Sequence, residues 1–113
     1  MAAGKDSSAA RRGRSLARRL ALQALYQIQL NPRSWQDTHQ QYAEDPEAER
    51  VDRDYFRELV MSIAANGEIL DEVIARFSEI PPAGLDPIEH AVLWIGLHEL
   101  KSRAELPYRG VLA

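Results

Sequence analysis

Apolar positions recur along this chain with a helical period. From Ser15 to about Leu30, the residues Leu16, Ala17, Leu20, Ala21, Ala24 and Ile28 fall within one arc of about 140° when each step turns about 100°. Asn31-Pro32 predicts the stop, because a proline pushes the residue before it out of helical geometry. The opposite face of this first helix carries Arg18, Arg19, Leu22, Tyr26 and Gln29, and Arg11 and Arg12 join it if the helix extends upstream. A short helix is predicted within 34–45, presenting Trp35 and Tyr42 and ended by Asp45-Pro46.

Two further apolar stripes follow in phase. Tyr55, Phe56, Leu59, Val60 and Ile63 form the first, and Ile69, Leu70, Val73, Ile74, Phe77 and Ile80 the second. The phase match permits one long helix over 52–80, while Asn66-Gly67 permits two helices meeting at a bend. Pro81-Pro82-Ala83-Gly84 is a break. Asp86-Pro87-Ile88-Glu89 then has the chemistry of a helix start, with Asp86 as cap and Pro87 at the first position. The helix it opens, to about Ser102, is apolar on nearly every side, through Ile88, Ala91, Val92, Leu93, Trp94, Ile95, Leu97 and Leu100. Such a helix belongs at the centre of a domain, and four or five helices offer too few neighbours to surround it. Leu93, Trp94, Leu97 and Leu100 are therefore expected to be under-covered, so that the chain either self-associates through this C-terminal core or leaves its C-terminal half loosely packed. No segment alternates with period 2, so the fold class is all-α.

Length and charge sharpen this picture. A chain of 113 residues that is 45% hydrophobic suits one core rather than two. It holds no apolar run long enough for a membrane span and no secretory signal, and with zero cysteines no thiolate chemistry, all in keeping with a cytoplasmic protein. The net charge of −3 hides a segregation. Residues 1–19 hold Lys5, Arg11, Arg12, Arg14, Arg18 and Arg19 against the single acid Asp6, while the rest carries eight cations against sixteen acids. A basic end on an acidic body is the footprint of local contact with a polyanion. Residues 1–13, small, polar and basic, read as a disordered arm, with the folded domain spanning 14–113. The run 44–54, with six acids and two arginines, reads as a solvated linker and helix start.

The blocks Ala21-Leu22-Gln23-Ala24-Leu25-Tyr26 after an arginine-rich start, Tyr55 to Val60 with Asn66 and Ile69-Leu70-Asp71, and Ala91 to Leu100 with Leu106-Pro107-Tyr108-Arg109 together resemble the NusB family of transcription antitermination factors. The resemblance covers roughly residues 11–113. It implies a seven-helix domain of two packed subdomains, without catalysis or cofactor, whose last two helices would follow the Pro-Tyr turn and are absent from this chain. It further implies binding of the boxA element of ribosomal RNA leader transcripts, together with the ribosomal protein NusE, and entry into the RNA polymerase antitermination complex. NusB-like domains also precede rRNA cytosine methyltransferase domains, and a purely protein-binding helical adaptor is a third reading.

Within that frame the candidate RNA contacts are Arg11, Arg12, Arg14, Arg18 and Arg19, whose planar forks suit phosphate, with Tyr26 as a stacking platform two turns beyond Arg18 and Arg19. Lys101 and Arg103 either extend the basic surface or simply complement the dipole at a helix end. Leu22, Trp94 and His98 are the candidate contacts to a protein partner, the last two standing where relatives often carry a cation and a tyrosine. His39, His90 and His98 lack metal-ligand spacing, and no catalytic or metal site is expected. His90 sits among polar positions and is expected at the surface. Glu99 reads as a partly buried carboxylate bonded by backbone N–H groups of a nearby turn.

Overall fold

The computed structural model describes residues 2–31 and 34–112; the side chains of 2–7, 47 and 103–112 lie outside the described set. It holds α1 (Ala2–Leu30), α2 (Trp35–Ala43), a 3-10 turn (Pro46–Arg50), α3 (Arg53–Phe77), a second 3-10 turn (Pro82–Gly84) and α4 (Pro87–Leu112). Every described element is helical, as the apolar periodicity requires.

Local chemistry sets the boundaries. Ser34 Oγ accepts from Asp37 N at 3.4 Å and opens α2, and Asp52 Oδ1 accepts from Tyr55 N at 3.0 Å and opens α3. Asp86 caps α4 as expected, its Oδ1 taking the Ile88 N–H at 2.8 Å. Between the two open readings at Asn66-Gly67, the structure has one continuous helix. The Asn66 amide folds back onto the Ser62 carbonyl at 2.8 Å, and a side chain at Gly67 would stand 3.9 Å from the Trp94 ring. The glycine is not a hinge, and a side chain there would meet the indole at ordinary contact distance.

Two helices run beyond the bounds their apolar stripes predict. Helix α1 begins at Ala2, so residues 2–13 extend it where a disordered arm was expected. Alanines and arginines are strong helix formers, and adding turns to an existing helix avoids the cost of nucleation. Helix α4 likewise continues past Ser102 to Leu112. A helix need not end where its apolar stripe ends.

The core forms where α1, α3 and α4 meet. Ala17, Ala21 and Ala24 on α1 are small, which lets backbones approach, while Leu20 and Leu25 fill the space between. Phe56, Leu59, Val60 and Ile63 of α3 and Ala91 and Ile95 of α4 complete it. Gln29 Nε2 donates to the Pro87 carbonyl at 2.8 Å, and Arg18 meets Glu99 at the other end, so α1 and α4 run antiparallel. Asp71 reaches His90 and Trp94 while Tyr55 reaches Glu99, which makes α4 antiparallel to α3 as well. Helices α1 and α3 are therefore parallel, joined by α2 and its 3-10 turn as a crossover.

The linker 44–54 is less solvated than its charge suggested. Ala48 and Val51 are buried, and Asp52 N donates to the Gly13 carbonyl at 3.0 Å. Gly13 is buried there, and a Cβ on it would stand 3.4 Å from Asp52 N.

The under-coverage of α4 lies elsewhere than expected. Leu93, Trp94 and Leu97 are half-buried, and of the four residues expected to be open only Leu100 is, at 67% exposed. The exposed apolar residues instead include Ile69 and Phe77 towards the end of α3, Ile80 just past it, Ile88 and Val92 at the start of α4, and Leu30.

Candidate nucleic-acid interface

The outer face of α1 is arginine-rich. Arg11, Arg12, Arg14 and Arg19 are exposed, and Arg12 and Arg19, seven residues apart, share one line along the helix. Beside them the 3-10 turn brings up a cation that charge averaging had concealed. Arg50 lines one cleft of about 540 Å³ with Arg12 and Leu16, and another of about 470 Å³ with Arg19, Leu16, Gln23 and Glu49. Arg50 sits inside the acidic run, so counting charge along the chain cancels it. The contact between Gly13 and Asp52, with Ala48 and Val51 buried in the shared core, ties this turn to α1 and places Arg50 among the arginines.

Arg18 stands apart from the other four. Its Nε donates to Glu99 Oε2 at 2.6 Å, and the Tyr55 hydroxyl donates to the same oxygen. The two side chains of the ion pair are 30% and 16% exposed, so this bridge across α1, α3 and α4 is partly shielded from water. Glu99 is a partly buried acid as expected, but these two partners are side chains rather than a turn's backbone. Its hydrogen bond to Arg18 raises the guanidinium's pKa further. Burial first, and then the bond to Glu99, push the Tyr55 phenol up to about 12. Arg18 thus has a packing role that its position on the helical wheel did not reveal.

Tyr26 lies two turns beyond Arg19 on the same line. With Leu22, Gln23, Gln27, Tyr42 and Ile88 it borders a groove of about 240 Å³. Leu22 therefore belongs with Tyr26. Trp94 and His98 face α3 instead. Trp94 Nε1 donates to Asp71 Oδ1 at 2.8 Å, and His98 Nε2 is buried 3.5 Å from Glu58 Oε2. His90, expected at the surface, is 8% exposed, lies 2.6 Å from Asp71 through Nε2 and packs on the Trp94 ring at 4.1 Å. The polar flanks of His90 in sequence hid a buried partner, Asp71, on another helix.

Lys101 is exposed, two residues past Glu99 and so at the arginine end of α1. Because α4 runs on to Leu112, Lys101 is not in a last turn, and dipole complementation does not account for it. Arg103 lies outside the described side chains. Among the described residues no group of three His, Asp or Glu could hold a metal ion, and no helix is long and apolar enough to cross a membrane.

Comparison with known proteins bears on this surface. Residues 15–113 match the sequence profile of the NusB family. The chain belongs to the NusB family. The transcription antitermination protein NusB of Idiomarina loihiensis is 42% identical over 96 residues, covering 85% of this chain and 69% of that protein. Its namesake in a Marinomonas species is 41% identical over 98 residues, covering 85% of this chain and 56% of its own length. That of Pseudomonas entomophila is 37% identical over 110 residues, covering 97% of this chain and 65% of its own length. These NusB proteins are named for antitermination and not for a catalysed reaction. The match to all four helices fits the all-α architecture, and it includes Arg18, Arg19 and Tyr26 but not Arg11, Arg12 or Arg14.

Proposed function

We infer that this chain is an RNA-binding transcription antitermination factor of the cytoplasm. In this reading it binds boxA-like single-stranded RNA of ribosomal leader transcripts together with NusE, and joins the RNA polymerase antitermination complex. One observation carries the proposal: Arg12 and Arg19 of α1 and Arg50 of the crossover border adjoining clefts on an otherwise acidic protein. Arginine forks on a rigid helix can follow successive phosphates, and Tyr26 further along that face offers a ring for a base. Leu22 and its groove are assigned to the protein partner, and Lys101 extends the basic surface. Arg18 is reassigned from RNA contact to anchoring α1.

The test is RNA binding as a function of salt, with a boxA oligomer and a scrambled one, with and without NusE. Replacing Arg11, Arg12, Arg14, Arg19 and Arg50 with Ala is expected to flatten the slope of log affinity against log salt by roughly 0.7 for each phosphate no longer neutralised. An unchanged slope in a folded variant overturns the reading and leaves a protein-binding adaptor.

A further inference from the structure

A second cationic and aromatic surface lies where α2 packs on the start of α3. Arg53 and Arg57 are exposed and one helical turn apart. The Arg57 guanidinium sits 5.4 Å from the centre of the Trp35 ring, so an otherwise mobile side chain is held by a cation–π contact. The Trp35 edge meets His39 at 6.1 Å, and His39 stacks on the buried Phe56 at 4.9 Å. Trp35, His39 and both arginines border a groove of about 410 Å³, with the amides of Gln36 and Gln40 on its α2 side. The groove's one acid, Glu44, accepts from Gln40 Nε2 at 3.2 Å.

We propose that this α2–α3 groove is a second contact for single-stranded RNA, holding nucleotides that flank the stretch bound along α1. The proposal rests on the RNA-binding reading above and extends it to a surface with no share in the α1 face. Arg53 and Arg57 take phosphates, the Gln36 and Gln40 amides offer donors and acceptors to a base edge, and Trp35 offers its rim. Two cations against one engaged acid make the groove locally positive in a part of the chain that is otherwise strongly acidic. Continuity with the first site comes through the backbone. Arg50 borders the α1 clefts, and Arg53 follows it directly after the residue bonded to Gly13. Burial, and then the neighbouring charge of Arg57, lower the His39 pKa, so its ring is neutral at pH 7 and behaves as an aromatic wall.

The experiment compares a boxA RNA with the same RNA carrying a short uridine-rich tail at its 5′ end and, separately, at its 3′ end. For the unmodified protein, one tail is expected to tighten binding by roughly tenfold or more, a single charge-assisted contact being worth about tenfold. Arg53→Ala with Arg57→Ala should abolish that gain, leave affinity for untailed RNA unchanged, and flatten the salt slope for tailed RNA by about 1.4. If the double variant loses its melting transition, Arg53→Glu leaves the Arg57–Trp35 contact in place and carries the same test. Bound untailed RNA with no gain from either tail overturns this proposal alone. So does an equal loss for tailed and untailed RNA. Failure to bind untailed RNA overturns the RNA-binding reading and this one with it.

Discussion

Glu99 illustrates how one side chain can redirect the role of another. By charge alone Arg18 is one more arginine of a basic end, yet it lies at the border between the outer face of α1 and its buried face. Helical periodicity assigns faces but not partners, so the ion pair with a residue 81 positions away was not legible in sequence. Arg18→Ala is expected to cost about 1–2 kcal/mol of stability, between the values for exposed and buried charged hydrogen bonds, with little change in the RNA salt slope. Urea unfolding beside salt-dependent binding checks both halves. Tyr55 gives a second expectation, with a defined sign. Its phenol titrates near 10 when unfolded and about 12 when folded. Above pH 10 the unfolded chain binds fewer protons, so stability falls with rising pH until the folded group also ionises. The contribution is complete below pH 10 and lost between 10 and 12. Tyr55→Phe should flatten that limb in melting temperatures recorded from pH 9 to 12; an identical limb would assign it to other groups.

At the scale of elements, the stripes in 55–80 and the Asp86 cap were legible because periodicity and capping are local properties. The helical state of residues 2–13 was not. Their composition lacks a core face, but propagating α1 needs no core face once downstream turns exist. Arg50 and Arg53 were missed for a related reason, since the sum over an acidic run erases individual cations. What brings Arg50 to α1 is the close backbone approach at Gly13, while Arg53 lines the α2–α3 groove. Replacing this glycine tests the junction. Gly13→Ala adds helix propensity worth about 0.5–1 kcal/mol, and its Cβ would meet Asp52 N at 3.4 Å, a tolerable contact. Gly13→Leu has no such room and must push the 3-10 turn outward. The alanine variant is expected within about 1 kcal/mol of the parent in urea unfolding. The leucine variant should unfold more easily and bind RNA less tightly through displacement of Arg50. Leucine tolerated as well as alanine would show that the junction is not what positions that arginine.

For the whole molecule, the uncovered apolar surface has a consequence in solution. The expectation of under-coverage placed it on Leu93, Trp94, Leu97 and Leu100, whereas Asp71 takes the Trp94 indole N–H, drawing that flank inward. The open residues gather instead at the end of α3 and the start of α4, with Phe77 61% and Val92 52% exposed. On α4, Ile88 and Val92 are one turn apart and share a face. If association buries ~300 Å² of apolar surface, the gain is about 7 kcal/mol at ~25 cal/mol per Å². Losing translational and rotational freedom costs roughly 4–15 kcal/mol, so the two nearly cancel and only weak association follows. The 113-residue chain is therefore expected to be monomeric when dilute and to self-associate as concentration rises. Phe77→Ser with Val92→Ser, both at exposed positions, should shift that onset upward while leaving the melting temperature nearly unchanged. Light scattering across a concentration series reads the first quantity and calorimetry the second. A parent chain that stays monomeric throughout the series, or a double variant that associates as readily, would show that this surface does not drive association.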